Sequence, residues 1–263
     1  MKNIAIAFAS PVNLKSIQKP NQYQIFGENY DCIQTNESAL IYLQRQVQRK
    51  YHQSLDFIFL IVSGTVENGL IPANDTFAPC SHADFLKARL KSHFSRGACA
   101  GFPLPVIRCE PYDENASPEE CNIAIAKIAD KVEEAVRPTF AGGKDEAVRL
   151  HADMTGGYRN ASMMLLSMME LLKYKGMEIG DVMYSDPAKA DPAVRVAPVT
   201  EIMRMFTLIN GVDEFVKNGS VETIQEYFRT EPGEKSPELE ALLVGMQQFS
   251  DAICLCRTDN IKD

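Results

Sequence analysis

Asp153-Met154-Thr155-Gly156-Gly157-Tyr158-Arg159-Asn160 stands where a strand pattern gives way to a helix pattern. Ahead of it, Ala147 to Met154 reads as a strand. Behind it, residues 158 to 174 (Y-R-N-A-S-M-M-L-L-S-M-M-E-L-L-K-Y) read as a helix that is apolar nearly all round, hence buried. Gly176 suits its C-cap, and a further strand pattern follows over residues 177 to 184. Strand, glycine turn, buried helix and strand make one α/β unit.

The same alternation extends toward the N-terminus. Residues 3 to 9 form a short apolar run, ended by Ser10-Pro11 because proline cannot donate to a ladder. Residues 11 to 34 are too irregular to yield an element. Thr35 or Asn36 then caps a helix with Ala39, Leu40, Leu43 and Val47 at helical spacing and with Arg45, Arg49 and Lys50 near its C-terminal end. The strongest strand, D-F-I-F-L-I-V at 56 to 62, stops at Ser63-Gly64-Thr65. A helix at 82 to 94, a strand from Val106 to Cys109 and a helix opened by Ser117-Pro118-Glu119-Glu120 complete the series. This order predicts a Rossmann-like, doubly wound α/β fold with a mainly parallel sheet. Near Pro198 the composition changes. The domains are therefore expected at 1–198, the ligand-binding part, and 199–263, an all-helical linker and dimerisation segment with helices at 200–217, 220–228 and 237–256.

Composition bounds the function. The chain has 263 residues and a net charge of -8, from 27 Lys+Arg against 35 Asp+Glu. That balance argues against a duplex-DNA binder, which needs a basic face, and leaves room for a local site for a small anion. No apolar run approaches the roughly 20 residues that span a membrane. The N-terminus reads as a strand rather than a signal peptide. Seven cysteines, an odd number without a C-x-x-C pair, read as reduced thiols in a cytoplasmic protein.

In the central stretch, Gly156 and Gly157 let backbone N–H groups approach an anion, and a helix N-terminus adds positive potential. Thr155 offers a hydroxyl, Arg159 a cationic fork and Asn160 an amide. A plain strand-to-helix turn with Arg159 at the surface fits the same residues. In a parallel sheet the loops Ser10-Pro11 and Ser63-Gly64-Thr65 share this edge, where open α/β sheets bind ligands. Arg45 and His52 match a loose R-x6-H ribonuclease spacing but straddle the end of a helix in an α/β unit. Arg89 and His93 read as a solvated helix face, His82 as a surface or capping residue, and His151 with Asp153 as a hydrogen-bonded core pair rather than metal ligands. Gly142-Gly143-Lys144-Asp145 precedes a strand, the reverse of a P-loop. No metal or cofactor is expected.

D-M-T-G-G-Y-R-N, the T-N-E-S-A-L-I-Y-L helix, the F-I-F-L-I-V-S-G strand and I-M-R-M-F-T-L-I-N-G-V-D-E-F-V-K-N-G-S-V together resemble the CRISPR-associated Rossmann-fold (CARF) domains of type III CRISPR systems. The resemblance covers most of residues 1 to 260. It implies a homodimeric sensor that binds cyclic oligoadenylate, of four to six adenylates, across its two-fold axis and controls a fused effector allosterically in antiviral defence. Carried over, the ligand-binding residues are Ser10, Pro11, Ser63, Gly64, Thr65, Thr155, Gly156, Gly157, Arg159 and Asn160. Such proteins usually carry an effector, and no effector motif is found. The last helix looks unfinished at Asp263, so the chain is expected to be a sensory part without its effector. A second reading is a ring nuclease that slowly cleaves its ligand without metal through 2′-OH attack, with Ser10, Thr155 and Arg159 as the suspects. A dinucleotide-dependent enzyme is disfavoured, since no G-x-G-x-x-G occurs.

Overall fold

A computed structural model describes residues 1–73, 78–137, 147–157, 160–230 and 234–259, without the side chains of residues 230 and 254–259. The chain divides into two compact units, Met1–Val199 and Thr200–Asp263.

The first unit runs β1 (Lys2–Phe8), α1 (Leu14–Gln18), β2 (Asn21–Ile25), β3 (Glu28–Cys32), α2 (Thr35–Tyr51), β4 (Phe57–Ser63), α3 (Gly64–Asn68), β5 (Leu70–Ile71), β6 (Cys80–Ser81) and α4 (His82–Phe94). It continues with β7 (Val106–Tyr112), α5 (Pro118–Val136), β8 (Val148–Asp153), α6 (Ala161–Tyr174), β9 (Glu178–Ser185) and β10 (Val196–Pro198). Six strands form the main sheet in the order β10-β9-β8-β1-β4-β7. All neighbours are parallel except β10, which returns antiparallel to β9. Counting only the five parallel strands, this is the 3-2-1-4-5 order of a Rossmann-like doubly wound sheet. The chain leaves β1 in one direction toward β4 and β7, then resumes on its other side at β8.

The apolar runs of β1 and β4 are buried on both faces, as central parallel strands require. Ala5 and Ala7 of β1 pack with Leu40, Leu43 and Val47 of α2 and Leu86 and Leu90 of α4 in one core cluster. The small alanines leave room for α2 to lie close. By the period of two, Ile4, Ile6 and Phe8 point to the opposite face. There α5 and α6 pack against each other, with α6 also against β1 and β9.

Several elements differ from the sequence expectation. Residues 11 to 34 hold α1 and the antiparallel hairpin β2–β3. β7 runs on through Pro111 to Tyr112, which an edge strand tolerates because one side needs no donor. α6 is apolar but buried on one face only, and Met163 is 72% exposed. It closes with Gly176 at φ +83°, where Gly176 N–H donates to Lys173 O at 2.8 Å and Met177 N–H to Leu172 O at 3.1 Å, a Schellman ending.

The second unit holds α7 (Thr200–Asn218), α8 (Glu222–Thr230) and α9 (Pro237–Asp259). Gly211 of α7 lies against Ile224 of α8, and Phe215 of α7 meets Phe249 of α9 with ring centroids 5.7 Å apart. No helix among the described residues is long and apolar enough to cross a membrane.

Candidate functional site

The strand order reverses at β1 and β8, and their C-terminal ends open the crevice where such sheets bind ligands. The loops after them are Ala9-Ser10-Pro11 and Met154-Thr155-Gly156-Gly157. The parallel register sets Ala7 beside Asp153, so both loops leave the sheet side by side. The N-termini of α2 and α6 reach the same place. Gln34, the residue before α2, donates from Nε2 to Ser10 O. Gly157 comes so close to Ala161 at the start of α6 that an added Cβ would lie 2.3 Å from the Ala161 methyl. Two helix N-termini therefore add positive potential to one crevice.

Both glycines are required by contact. A Cβ on Gly156 would fall 1.9 Å from Phe8 O, 2.7 Å from Asn36 Nδ2 and 2.9 Å from Ser10 Oγ. Gly157 sits at φ +94°, which L side chains rarely adopt. The T-G-G turn is thus pressed onto the end of β1 and presents bare backbone there.

A buried polar network fixes this arrangement. The Asp153 carboxylate is fully buried and accepts from Thr155 N–H at 2.8 Å and from Asn36 Nδ2 at 2.6 Å. Asn36 Nδ2 also donates to Phe8 O at 3.0 Å, and Asn36 Oδ1 accepts from Ser10 N–H at 2.9 Å. Burial raises the Asp153 carboxyl from its usual 3.8 to about 6, against the lowering effect of the bonds from Thr155 and Asn36. Thr155 Oγ1 accepts from Ser185 N–H at 2.9 Å, which ties the turn to the end of β9. Ser185 Oγ in turn meets Ser38 Oγ at 2.8 Å and donates to Tyr23 Oη at 3.3 Å.

The remaining expected site residues divide. Pro11 and Asn160 are exposed at the ends of the two loops, and Asn160 precedes α6 without capping it through its side chain. Tyr158 and Arg159 lie outside the described residues, as does Gly142-Gly143-Lys144-Asp145. Ser63, Gly64 and Thr65 end the next strand, β4, on the same edge. Ser63 Oγ is occupied in accepting Val66 N–H at 3.4 Å, and Thr65 Oγ1 donates to Glu114 Oε1 at 2.7 Å. With Glu67 and Asp113 nearby in the chain, the loops after β4 and β7 are acidic, so an anion is better accommodated at β1 and β8.

His151 and Asp153 do not pair with each other. They share the face toward α2, but Asp181 N–H donates to His151 Nδ1 at 3.0 Å. The neutral ring then carries its proton on Nε2, which has no hydrogen-bond partner. A bulge in β9 makes this contact, and Gly180 leaves the space: a Cβ there would meet the His151 ring at 2.7 Å. Burial lowers the His151 ring from 6.5 to about 4, partly opposed by the Asp181 charge.

Arg89 and His93 are no solvated face either. Arg89 Nε and His93 Nε2 each lie 3.0 Å from Oε2 of the fully buried Glu37. Glu37 Oε1 accepts the N–H groups of Ile33 and Gln34 at 3.1 and 2.9 Å. Cys32, Glu37 and His93 bring donor atoms within 4.8 Å of one another, but the Arg89 guanidinium already holds the carboxylate, and burial pushes the Cys32 thiol well up. Both features oppose a cation there. Arg45 is buried and pairs with Glu28 at 3.0 Å, whereas His52 is an exposed left-handed residue ending α2, so they form no joint site. His82 Nδ1 accepts Val12 N–H at 3.0 Å.

Asn36, the residue that joins both loops, was legible only as a possible helix cap. Fold and crevice define a Rossmann-like α/β protein with a candidate ligand site at the β1/β8 switch point. No model of a known family matches the chain, and no curated protein does. Among solved structures, the chain is similar to Enterococcus italicus Csm6 bound to cyclic hexa-2′-fluoro-hexa-dAMP, at 11% identity and a TM-score of 0.45. That match covers 98% of this chain and 55% of the other, so the chain spans about half the length of that protein.

Proposed function

We propose that this chain is a homodimeric sensor of cyclic oligoadenylate in type III CRISPR defence, and that ligand occupancy allosterically controls an effector. The observation that carries the reading is the switch-point crevice, where Gly156 is pressed against Phe8 O and two helix N-termini meet at Ser10 and Gly157. The sequence resemblance at D-M-T-G-G-Y-R-N supplies the ligand class. Bare backbone and helix N-termini suit phosphates, and Arg159 adds a bidentate cation. A ring of identical units suits a two-fold site, because each protomer reads the same half.

The test is titration calorimetry with cyclic tetra-, penta- and hexaadenylate. Submicromolar binding of one ring, weakened at least tenfold by Arg159→Ala, is expected. No binding of any ring overturns the reading, and unchanged affinity in Arg159→Ala overturns the role of Arg159. Chromatography of the bound ring, incubated with chelator, reads any cleavage. An intact ring after hours leaves the sensor alone.

A further inference from the structure

Val12 N–H donates to His82 Nδ1 at 3.0 Å, a contact across 70 residues of sequence. His82 is the first residue of α4 but does not cap it. That task falls to Ser81, whose Oγ accepts Asp84 N–H at 3.1 Å. Only an unprotonated ring nitrogen can accept, so the His82 ring is neutral, with its proton on Nε2. Burial favours that form, and so does the positive potential of a helix N-terminus. The far edge of the ring lies against Gly69, the residue after α3. A Cβ on Gly69 would come within 3.0 Å of His82 Cδ2 and 3.1 Å of Nε2. The ring is thus wedged between Gly69 and the loop that follows β1.

This contact completes the pairing of that loop's backbone donors. Ala9 N–H goes to Ile61 O and Ser10 N–H to Asn36 Oδ1, both at 2.9 Å. Pro11 has no N–H. Val12 N–H goes to His82. From Ala9 to Val12 no backbone donor is left over for an anion. The loop instead forms a shaped wall, carrying Ser10 Oγ and the Pro11 ring beside the T-G-G turn. Val12 is buried with Ile71 and Phe85, so its N–H needs an acceptor from the protein. Apolar packing holds the side chain but supplies no acceptor. α4 also reaches the other end of the loop: Arg89 and His93 hold Glu37, Glu37 accepts Gln34 N–H, and Gln34 donates to Ser10 O.

We infer that His82 is a positioning residue of the candidate site: it latches the loop after β1 at Val12 and so fixes where Ser10 and Pro11 stand beside Gly156. The latch rests on its own hydrogen bond; its consequence for a cyclic oligoadenylate rests on the sensor function proposed above.

Two substitutions of similar shape separate the acceptor from the bulk. Asn Oδ1 takes the place of His Nδ1, whereas a Leu methyl fills it without an acceptor. Amide hydrogen exchange of residues 9–13 in the whole chain reads the latch. Slow exchange of Val12 N–H is expected in the wild type and in His82→Asn, and exchange about tenfold faster in His82→Leu. Titration with cyclic tetra- and hexaadenylate reads the consequence: affinity about tenfold weaker in His82→Leu, and within about threefold of the wild type in His82→Asn. Fast Val12 exchange in the wild type, or equally slow exchange in His82→Leu, overturns the latch. Equal loss of affinity in both variants, or fast Val12 exchange with unchanged affinity in His82→Leu, overturns the positioning role. Nitrogen-15 spectra of the wild type need no substitution: an unprotonated His82 Nδ1 at neutral pH is expected, and a protonated one overturns the assignment. A wild type that binds neither ring overturns the sensor reading, and the exchange pattern then decides the latch by itself.

Discussion

Asn36 Nδ2 donates to Asp153 Oδ2 at 2.6 Å across 117 residues of sequence, and the same amide holds both ends of the β1 exit. The geometry has a direction. Phe8 O can only accept and Ser10 N–H can only donate, so the Asn36 amide has one acceptable orientation. In that orientation its N–H groups face Asp153, which must offer an acceptor. The ionised carboxylate meets this need while also accepting from Thr155 N–H. One buried charge thereby positions both loops of the candidate site.

Removing the amide should cost more than an ordinary surface change. Asn36→Ala leaves Asp153 Oδ2, Phe8 O and Ser10 N–H without this partner. At about 1–3 kcal/mol for each buried group left unpaired, a loss near 3 kcal/mol is expected in urea unfolding. Ring binding, where present, should weaken together with it. A loss below about 1 kcal/mol would mean that water replaces the amide.

Gly156→Ala tests the close approach directly. The added methyl meets Phe8 O, a backbone atom of a central strand that cannot swing away. The turn or the end of β1 must shift, at a cost of about 1–3 kcal/mol. Affinity for the ring should fall further than stability, because the turn itself is displaced. Gly64→Ala, with nothing within 4 Å of its Cβ, is the matched control and should change stability little.

Glu37 offers a third test. Glu37→Gln keeps an acceptor for Ile33 and Gln34 but turns an N–H donor toward Arg89 and His93. Breaking a buried ion pair costs about 3–5 kcal/mol, and the 27% exposure of the Arg89 side chain reduces this, so a loss of about 2 kcal/mol is expected. Arg89→Ala added to Glu37→Gln should recover part of it. Strict additivity in that double-mutant cycle would show that the two side chains do not interact.

These cases also separate what the sequence encodes locally from what it does not. The alternation of apolar runs with helical stripes made the parallel sheet legible, because β1, β4 and β8 are bounded by their own turn residues. The β2–β3 hairpin escaped. Its two-residue turn is Phe26-Gly27, both at positive φ, and phenylalanine carries none of the Asn-Gly signal that marks such turns. α6 was read as buried all round because composition does not tell which apolar residues find a partner; Met163 finds none. His151 and Asp153 were correctly placed on one face by the period of two. Their true partners, Asp181 and Asn36, come from β9 and α2, and no local pattern records such a meeting.

The pair also sets an unusual pH response. The raised Asp153 carboxyl, from 3.8 to about 6, contributes stability that is fully present below pH 3.8 and lost as pH rises through about 6. The lowered His151 ring, from 6.5 to about 4, contributes stability present above pH 6.5 and lost as pH falls through about 4. Each shift corresponds to roughly 3 kcal/mol, with opposite sign over nearly one window. In the wild type the two contributions largely cancel between pH 4 and 6. Each conservative substitution should therefore uncover the other. Relative to Asp153→Asn, the wild type should lose about 3 kcal/mol as pH rises from 4 to 6. Relative to His151→Asn, it should gain about as much from 4 to 6.5. Chemical unfolding at intervals across this range reads both differences. A difference profile that is flat for Asp153→Asn would show that its carboxyl titrates in the ordinary range, so that the bonds from Thr155 and Asn36 offset the cost of burying the charge.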